Sequence, residues 1–248
     1  MRICVAGYGF VGRAHALALE SEHDIGIYDP PKGYKFPPRA DACIIAVSTP
    51  PSADGFCDMN NVFSVIEKYQ DVPILIKSTI SLEGWRLINR AFPDAQITFS
   101  PEFLRAAHAF EDMKNQKVVY VGGGESLLWS SILSMSLGVT VRTAKPEELI
   151  LAKYTRNSFL ASKVAFFNEI YDLCEEVGAD FDSVREVVCE DSRIGDSHSF
   201  VDPEDRGFGG HCFPKDTSAF VMSGRQHGKR LTILESVIKY NSMLKDNE

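Results

Sequence analysis

The sequence predicts an α/β chain: a doubly wound, mostly parallel sheet over residues 1–144, then a helical domain over residues 145–248 built around one long central helix. Three observations carry this. Short β-branched runs alternate with amphipathic segments in the first part, a glycine-rich turn joins the first run to the first helix, and the alternation stops after Lys145. Strand, helix and strand repeated in this way build a parallel sheet with helices on both faces.

Strands are read at Arg2–Ala6, Ile25–Tyr28, Ala42–Val47, Ile74–Lys77, Gln96–Phe99 and Lys117–Val121, with a weaker one at Val139–Arg142. Helical periodicity marks Val11–Leu19, Asn60–Tyr69, Leu82–Ala91 and Ser126–Ser136. Asp29–Arg39 holds four prolines and reads as a loop. Pro146-Glu147-Glu148 is a helix start, with proline in the first turn and acids at the positive end of the dipole. Periodicity then runs from Leu149 to a Gly178 stop, about 30 residues and about 45 Å. Further helix is predicted at Phe181–Val188, Asp216–Met222 and Leu231–Leu244, with a long functional loop over Ser192–Pro214.

At 44% hydrophobic and 24% charged, the 248 residues have ordinary globular usage, which excludes disordered and low-complexity classes. Lys and Arg number 26 against 34 Asp and Glu, a net charge of −8, so the basic footprint of a nucleic-acid binder is missing. No run approaches the ~18 apolar residues of a membrane helix, and the start does not read as a secretory signal. The six cysteines form no C-x-x-C pair, which implies reduced thiols in a cytoplasmic chain. Neither they nor the six histidines show zinc-ligand spacing, so no metal is expected.

Gly7-Tyr8-Gly9-Phe10-Val11-Gly12 follows a strand and opens a helix, the Rossmann-like fingerprint of a dinucleotide site. Its glycines serve the tight turn, the approach of backbone to a pyrophosphate, and helix–sheet packing. Asp29 closes the second strand, where a carboxylate accepts from ribose hydroxyls and repels a 2′-phosphate, favouring NAD; Lys32 and Lys35 lie close to it. Within Gly207-Phe208-Gly209-Gly210-His211-Cys212-Phe213-Pro214-Lys215-Asp216, the glycines let main chain approach a ligand, and Cys212 stands at a helix start beside Lys215. That setting favours a nucleophilic thiolate over the small buried apolar residue that a cysteine otherwise tends to be. Lys153 and Asn157, four apart on the long helix, share a face and are able to stabilise an oxyanion, although alone they read as a solvated surface. Ser100-Pro101-Glu102-Phe103-Leu104-Arg105, Val47-Ser48-Thr49-Pro50 and Lys77-Ser78-Thr79 all follow strand ends, where ligands of open α/β sheets gather. Taken singly, Glu102 reads equally as a helix cap and the other two as plain turns.

In order, GYGFVG, VSTP, KST, SPEFLR, KYTRNSFLASKVAFFNE, DSRIG and GFGGHCFPKD resemble the UDP-glucose 6-dehydrogenase / GDP-mannose dehydrogenase family over nearly the whole chain. The resemblance implies NAD-dependent, four-electron oxidation of a nucleotide sugar at C6. Cys212 would capture the intermediate aldehyde as a thiohemiacetal, and water would later cleave the thioester. Lys153 and Asn157 would stabilise the oxyanion, Asp216 would move protons, and Glu102 with Thr79 would position the hydrolytic water. Ser48, Thr49, Pro50, Thr79 and Lys215 would contact the cofactor. Phe103, Leu104, Phe208 and Gly209 would meet the substrate along with Glu102, Lys153 and Asn157, and Arg193 would reach the substrate of a neighbouring subunit. The long helix resembles the family's dimerisation helix, implying a homodimer.

Three departures stand out: Ala106 replaces the family's second acid after the arginine, the loop after Asp29 is short, and the sequence stops before the family's third, nucleotide-gripping domain. The resemblance therefore implies a compact member, most simply acting on UDP-glucose. The alternatives are GDP-mannose or a UDP-N-acetylhexosamine as substrate, a truncated non-catalytic nucleotide-sugar or NAD binder, and a two-electron hydroxyacid dehydrogenase. The last has no use for a nucleophilic cysteine.

Overall fold

In a computed structural model that describes residues 1–52 and 55–246, the chain divides into two compact units, one holding Met1–Ser52 and Cys57–Lys153 and the other running on from Tyr154. The first unit contains seven strands: β1 (Arg2–Ala6), β2 (Asp24–Tyr28), β3 (Ala42–Ile45), β4 (Ile74–Ile76), β5 (Ile97–Phe99), β6 (Val118–Gly123) and β7 (Thr140–Thr143). Its helices are α1 (Phe10–Leu19), α2 (Asn60–Tyr69), α3 (Leu82–Ala91), α4 (Ala109–Asn115) and α5 (Ser126–Leu137). Between Pro30 and Lys32 the proline-rich loop makes a single 3-10 turn, which proline's fixed φ permits.

The sheet order is β2-β1-β3-β4-β5-β6-β7, parallel throughout except where β6 runs antiparallel to β5. The chain leaves β1 toward β2 on one side and returns to β3 on the other. Ligands of open α/β sheets bind at that switch, outside the carboxyl ends of the strands. The segments after β1, β3, β4 and β5 share that edge. A 3-10 turn at Ala106–His108 and the seven-residue α4 were not expected from the sequence. They bring Ala109 and Met113 onto Ala14 of α1, a packing too short to show a clear period.

The core between sheet and helices holds Ile3, Val5, Ile44, Leu75, Val121, Ile132, Leu133 and the fully buried Trp129. In the second unit, α6 (Pro146–Val177, begun in the first), α7 (Phe181–Cys189), α8 (Phe213–Gln226) and α9 (Thr232–Asp246) enclose smaller clusters. Phe167, Cys174, Phe181 and Cys189 form one, and Ala161, Ala165 and Phe208 another. Helix α8 begins three residues before the predicted start, which makes Cys212 its N-cap residue. No helix among the described residues is long and apolar enough to cross a membrane.

Emptying the largest buried side chain should cost most. Trp129→Ala is expected to destabilise the protein by about 3–5 kcal/mol, read as a lower urea midpoint; a loss under ~1 kcal/mol would show that this core is not as filled as described.

Candidate active site

The glycine motif forms the turn that Rossmann-type cofactor sites need. Gly7 has φ +89°, and a Cβ there would lie 2.5 Å from the Ala46 carbonyl; at Gly12 it would lie 1.9 Å from the Gly7 carbonyl. Gly9 has nothing within 4 Å of its side-chain direction, so its backbone stands open to a ligand. A cavity of about 500 Å³ beside it is lined by Gly7, Gly9, Tyr28, Asp29, Lys32, Val47, Ser48 and Asn61, among others. The Asp29 carboxylate accepts from Tyr8 N–H (2.7 Å) through one oxygen, and Lys32 stands 3.9 Å from that oxygen and donates to the Tyr8 carbonyl. Open glycine backbone, a helix N-terminus and a ribose-side acid together suit NAD. Asn61, absent from the sequence prediction, donates to the Ser48 carbonyl (3.0 Å) and braces the loop after β3. Along that loop Thr49 is buried, while Ser48 and Pro50 are exposed; Phe10 is exposed and Val11 half-buried.

At the ends of β4 and β5 the structure builds a buried charge cluster. Glu102 is 7% exposed, and its Oε1 accepts from Phe103 N–H (2.6 Å) and Leu104 N–H (2.9 Å). Its Oε2 faces Lys77 Nζ at 3.4 Å and His15 Nε2 at 3.9 Å. Lys77 also donates to Ser100 Oγ (3.0 Å). Burial alone would raise the Glu102 pKa, but Lys77, His15, Lys153 and the Phe103 N–H outweigh it and hold the acid below its usual range. Burial pulls His15 down to about 4, and the Lys77 charge pulls the same way against Glu102. His15 is therefore neutral at pH 7. Burial also lowers Lys77, and Glu102 opposes that shift. Lys153 donates to the Glu102 carbonyl and lies 5.4 Å over the Phe103 ring. Thr79, beyond Lys77, is half-buried.

A second cluster sits in the helical unit. Asp216, 1% exposed, receives Asn157 Nδ2 (2.6 Å) on one oxygen and Lys215 Nζ (2.7 Å) on the other. A carboxylate only accepts, so this contact fixes which end of the Asn157 amide faces it. Five of the six cysteines are buried and Cys212 is exposed. Cys212 is the N-cap residue of α8, at the positive end of that helix's dipole. Two asparagines to which the sequence assigned no role secure the preceding loop, Asn168 within a quoted motif and Asn241 outside all of them. Asn241 accepts from Phe208 N–H (2.6 Å) and donates to its carbonyl (3.0 Å), while Asn168 accepts from Gly207 N–H (3.1 Å) and Arg206 Nε (2.7 Å). The Phe208 ring is buried against Ala161 and Ala165, whereas Gly209 is exposed. Phe103 and Leu104 are half-buried. Arg193 is exposed and forks onto Asp191 two residues earlier. The Arg105 guanidinium, beside Ala106, is held by Asp112. Buried side-chain partners of this kind join distant segments and leave no local period: His15 and Asn241 lie outside every motif, and the motifs that hold Lys77 and Asn168 do not reveal their partners.

Residues 33–131 match the NAD binding domain of the UDP-glucose/GDP-mannose dehydrogenase family, and residues 147–243 match that family's central domain. The chain is 34% identical over 225 residues to a UDP-glucose 6-dehydrogenase of Rickettsia felis, covering 84% of this chain and 49% of that protein. A UDP-glucose 6-dehydrogenase of Rhizobium meliloti is 33% identical, with 82% and 50% covered. The chain thus spans about half the length of the curated relatives it matches. Among solved structures, a UDP-glucose dehydrogenase from Pyrobaculum islandicum aligns with a TM-score of 0.84 at 28% identity, over 98% of this chain and 68% of that one. A UDP-D-ManNAc dehydrogenase from Pyrococcus horikoshii, at 20% identity and a TM-score of 0.81, shares the fold.

The buried cluster makes stability pH-dependent. His15 titrates near 4 when folded and near 6.5 when not, so between those values the unfolded chain binds more protons. Stability present at pH 7 should fall by about 2 kcal/mol between pH 6.5 and pH 5 from this residue alone. Glu102, held low, adds a further loss as pH falls through its folded pKa. Urea midpoints at pH 7 and pH 5 test this; an unchanged midpoint would contradict the buried, neutral imidazole.

Proposed function

The chain belongs to the UDP-glucose/GDP-mannose dehydrogenase family, and from that premise we propose that it oxidises a nucleotide sugar at C6 to the uronate in two NAD-dependent steps, with UDP-glucose as substrate. Names of the relatives at about 34% identity favour UDP-glucose over GDP-mannose or a UDP-N-acetylhexosamine. The single observation that carries the mechanism is Cys212: the one exposed thiol of six, at a helix N-terminus, on a loop clamped by Asn168 and Asn241. A pure binding protein or a two-electron dehydrogenase has no use for a thiol presented in this way.

In this reading residues 1–144 bind NAD, through Gly7, Gly9, Phe10, Val11, Gly12, Asp29, Ser48, Thr49, Pro50, Thr79 and Lys215, and residues 145–248 carry the cysteine loop. Bound NAD supplies the hydride acceptor for both oxidations. Cys212 adds to the C6 aldehyde, and the thiohemiacetal oxygen so formed is stabilised by Lys153 and Asn157, as preorganised donors stabilise developing negative charge. Asp216 orients the Asn157 amide and moves protons with Lys215 beside it. Oxidation of the thiohemiacetal gives a thioester on Cys212. Water, positioned by Glu102 and Thr79, then attacks its carbonyl carbon and the sulfur leaves as thiolate. Phe103, Leu104 and Gly209 line the substrate with Glu102, Lys153 and Asn157, and Phe208 anchors the loop from beneath. The reading includes a cytoplasmic homodimer through α6, in which Arg193 reaches the neighbouring subunit's substrate. Support for the dimer comes from Phe159, Phe166 and Leu173, which are exposed at seven-residue spacing along that helix.

Purified protein given nucleotide sugar and NAD should form two NADH per sugar consumed, fastest with UDP-glucose across a panel of UDP and GDP sugars. A ratio of one would favour the two-electron class, and no NADH with any sugar would favour a binding protein. Cys212→Ser should lose uronate formation by at least ~100-fold and keep at most the first oxidation; uronate at the parental rate would remove the covalent step. Phe166→Glu should convert a dimer to a monomer in analytical ultracentrifugation, and an unchanged mass would place the contact elsewhere.

A further inference from the structure

Behind the loop after β5, side chains from separate elements converge on one buried carboxylate: His15 of α1, Lys77 after β4 and Glu102 itself, with Lys153 of α6 on the Glu102 carbonyl. Their partners dictate where the protons sit. The Val11 carbonyl, 2.9 Å from His15 Nδ1, can only accept, so Nδ1 carries the ring's proton and Nε2 turns a lone pair toward Glu102 Oε2, 3.9 Å away. Oε1 is occupied by two backbone N–H groups, which leaves Oε2 as the oxygen able to take a proton. Lys77 spreads its three donors over Ser100 Oγ, the Pro101 carbonyl and Oε2. Two acceptors thus face each other with room for one shared proton after a small approach.

We propose that His15 is a positioning residue that acts through Glu102: when Glu102 takes a proton from the water that cleaves the Cys212 thioester, His15 Nε2 accepts a hydrogen bond from the resulting acid and holds that proton until the product leaves. This rests on the thioester reading above. In the step, the water oxygen forms a bond to the acyl carbon, one O–H bond of the water breaks, and its proton goes to Oε2. The C–S bond then breaks and its electron pair leaves on Cys212 as thiolate. The uronic acid gives its remaining proton to solvent. An imidazolium at this buried spot beside Lys77 could not accept; the neutral ring that burial enforces can.

Stopped-flow NADH traces of His15→Phe and His15→Gln test this, since phenylalanine keeps the bulk without an acceptor and glutamine keeps a carbonyl acceptor. His15→Phe should give a burst of two NADH per site at the wild-type rate, then turnover about tenfold slower, the loss expected for one hydrogen bond to a buried group. His15→Gln should recover most of that loss. Independently, long-range ¹⁵N spectra of the cofactor-free wild type should place the proton on Nδ1 at pH 7. The ring should titrate near 4, and that value should rise in Lys77→Met. This measurement stands even if the Phe variant fails to fold. Wild-type turnover in His15→Phe, a slow turnover that His15→Gln does not relieve, or a proton on Nε2 would overturn the role of His15 and leave the thioester reading intact. If the wild type forms no NADH with any nucleotide sugar, that reading falls and this inference falls with it.

Discussion

A carboxylate taken out of water must be compensated, and much of the arrangement after β4 and β5 follows from how Glu102 meets that demand. Lys77 supplies the opposite charge at 3.4 Å, and the loop's own Phe103 and Leu104 N–H groups supply hydrogen bonds. The Glu102 carbonyl of the same loop receives Lys153. Removing one partner of such a buried pair leaves the other uncompensated, at a cost of about 3–5 kcal/mol. The arrangement is therefore all-or-none, and the donors and acceptors of this loop are set before any ligand arrives.

The helical unit solves a related problem in its own way. Asp216 is as buried as any residue of the sheet core, and both its oxygens are engaged. Its partners, Asn157 and Lys215, are the groups that the family resemblance assigns to substrate and cofactor. In each unit a buried acid engages neighbouring side chains, and in the second unit Cys212 is exposed.

Much of this was legible in the sequence for physical reasons. The glycines of residues 7–12 must lie in a tight turn because any Cβ at Gly7 or Gly12 meets a backbone carbonyl. Pro146 with two acids announced the start of α6, and Gly178, in the left-handed region, its end. Cys212 stood apart from the other cysteines by its glycine and lysine neighbours. The missing parts are of one kind. His15 sits on the apolar face of α1, where its spacing is that of a core residue, and its partner lies 87 residues away. Asn241 reads as one more polar residue of α9 until Phe208 is seen against it. Helix α4 was missed because seven residues are too few to declare a period. Local pattern encodes elements and turns, while the pairing of buried polar groups emerges only when the sheet is assembled.

The second oxidation and the release of uronate both pass through a bond between sulfur and the sugar's C6 carbon. Acid-quenching the protein during turnover of UDP-glucose with NAD, followed by peptide mapping, looks for that bond directly. An acyl adduct of the nucleotide sugar is expected on the peptide that contains Cys212, sensitive to hydroxylamine as a thioester is, with the five buried cysteines unmodified. Uronate accumulating with no adduct on Cys212, or with an adduct on any other residue, would contradict the covalent step.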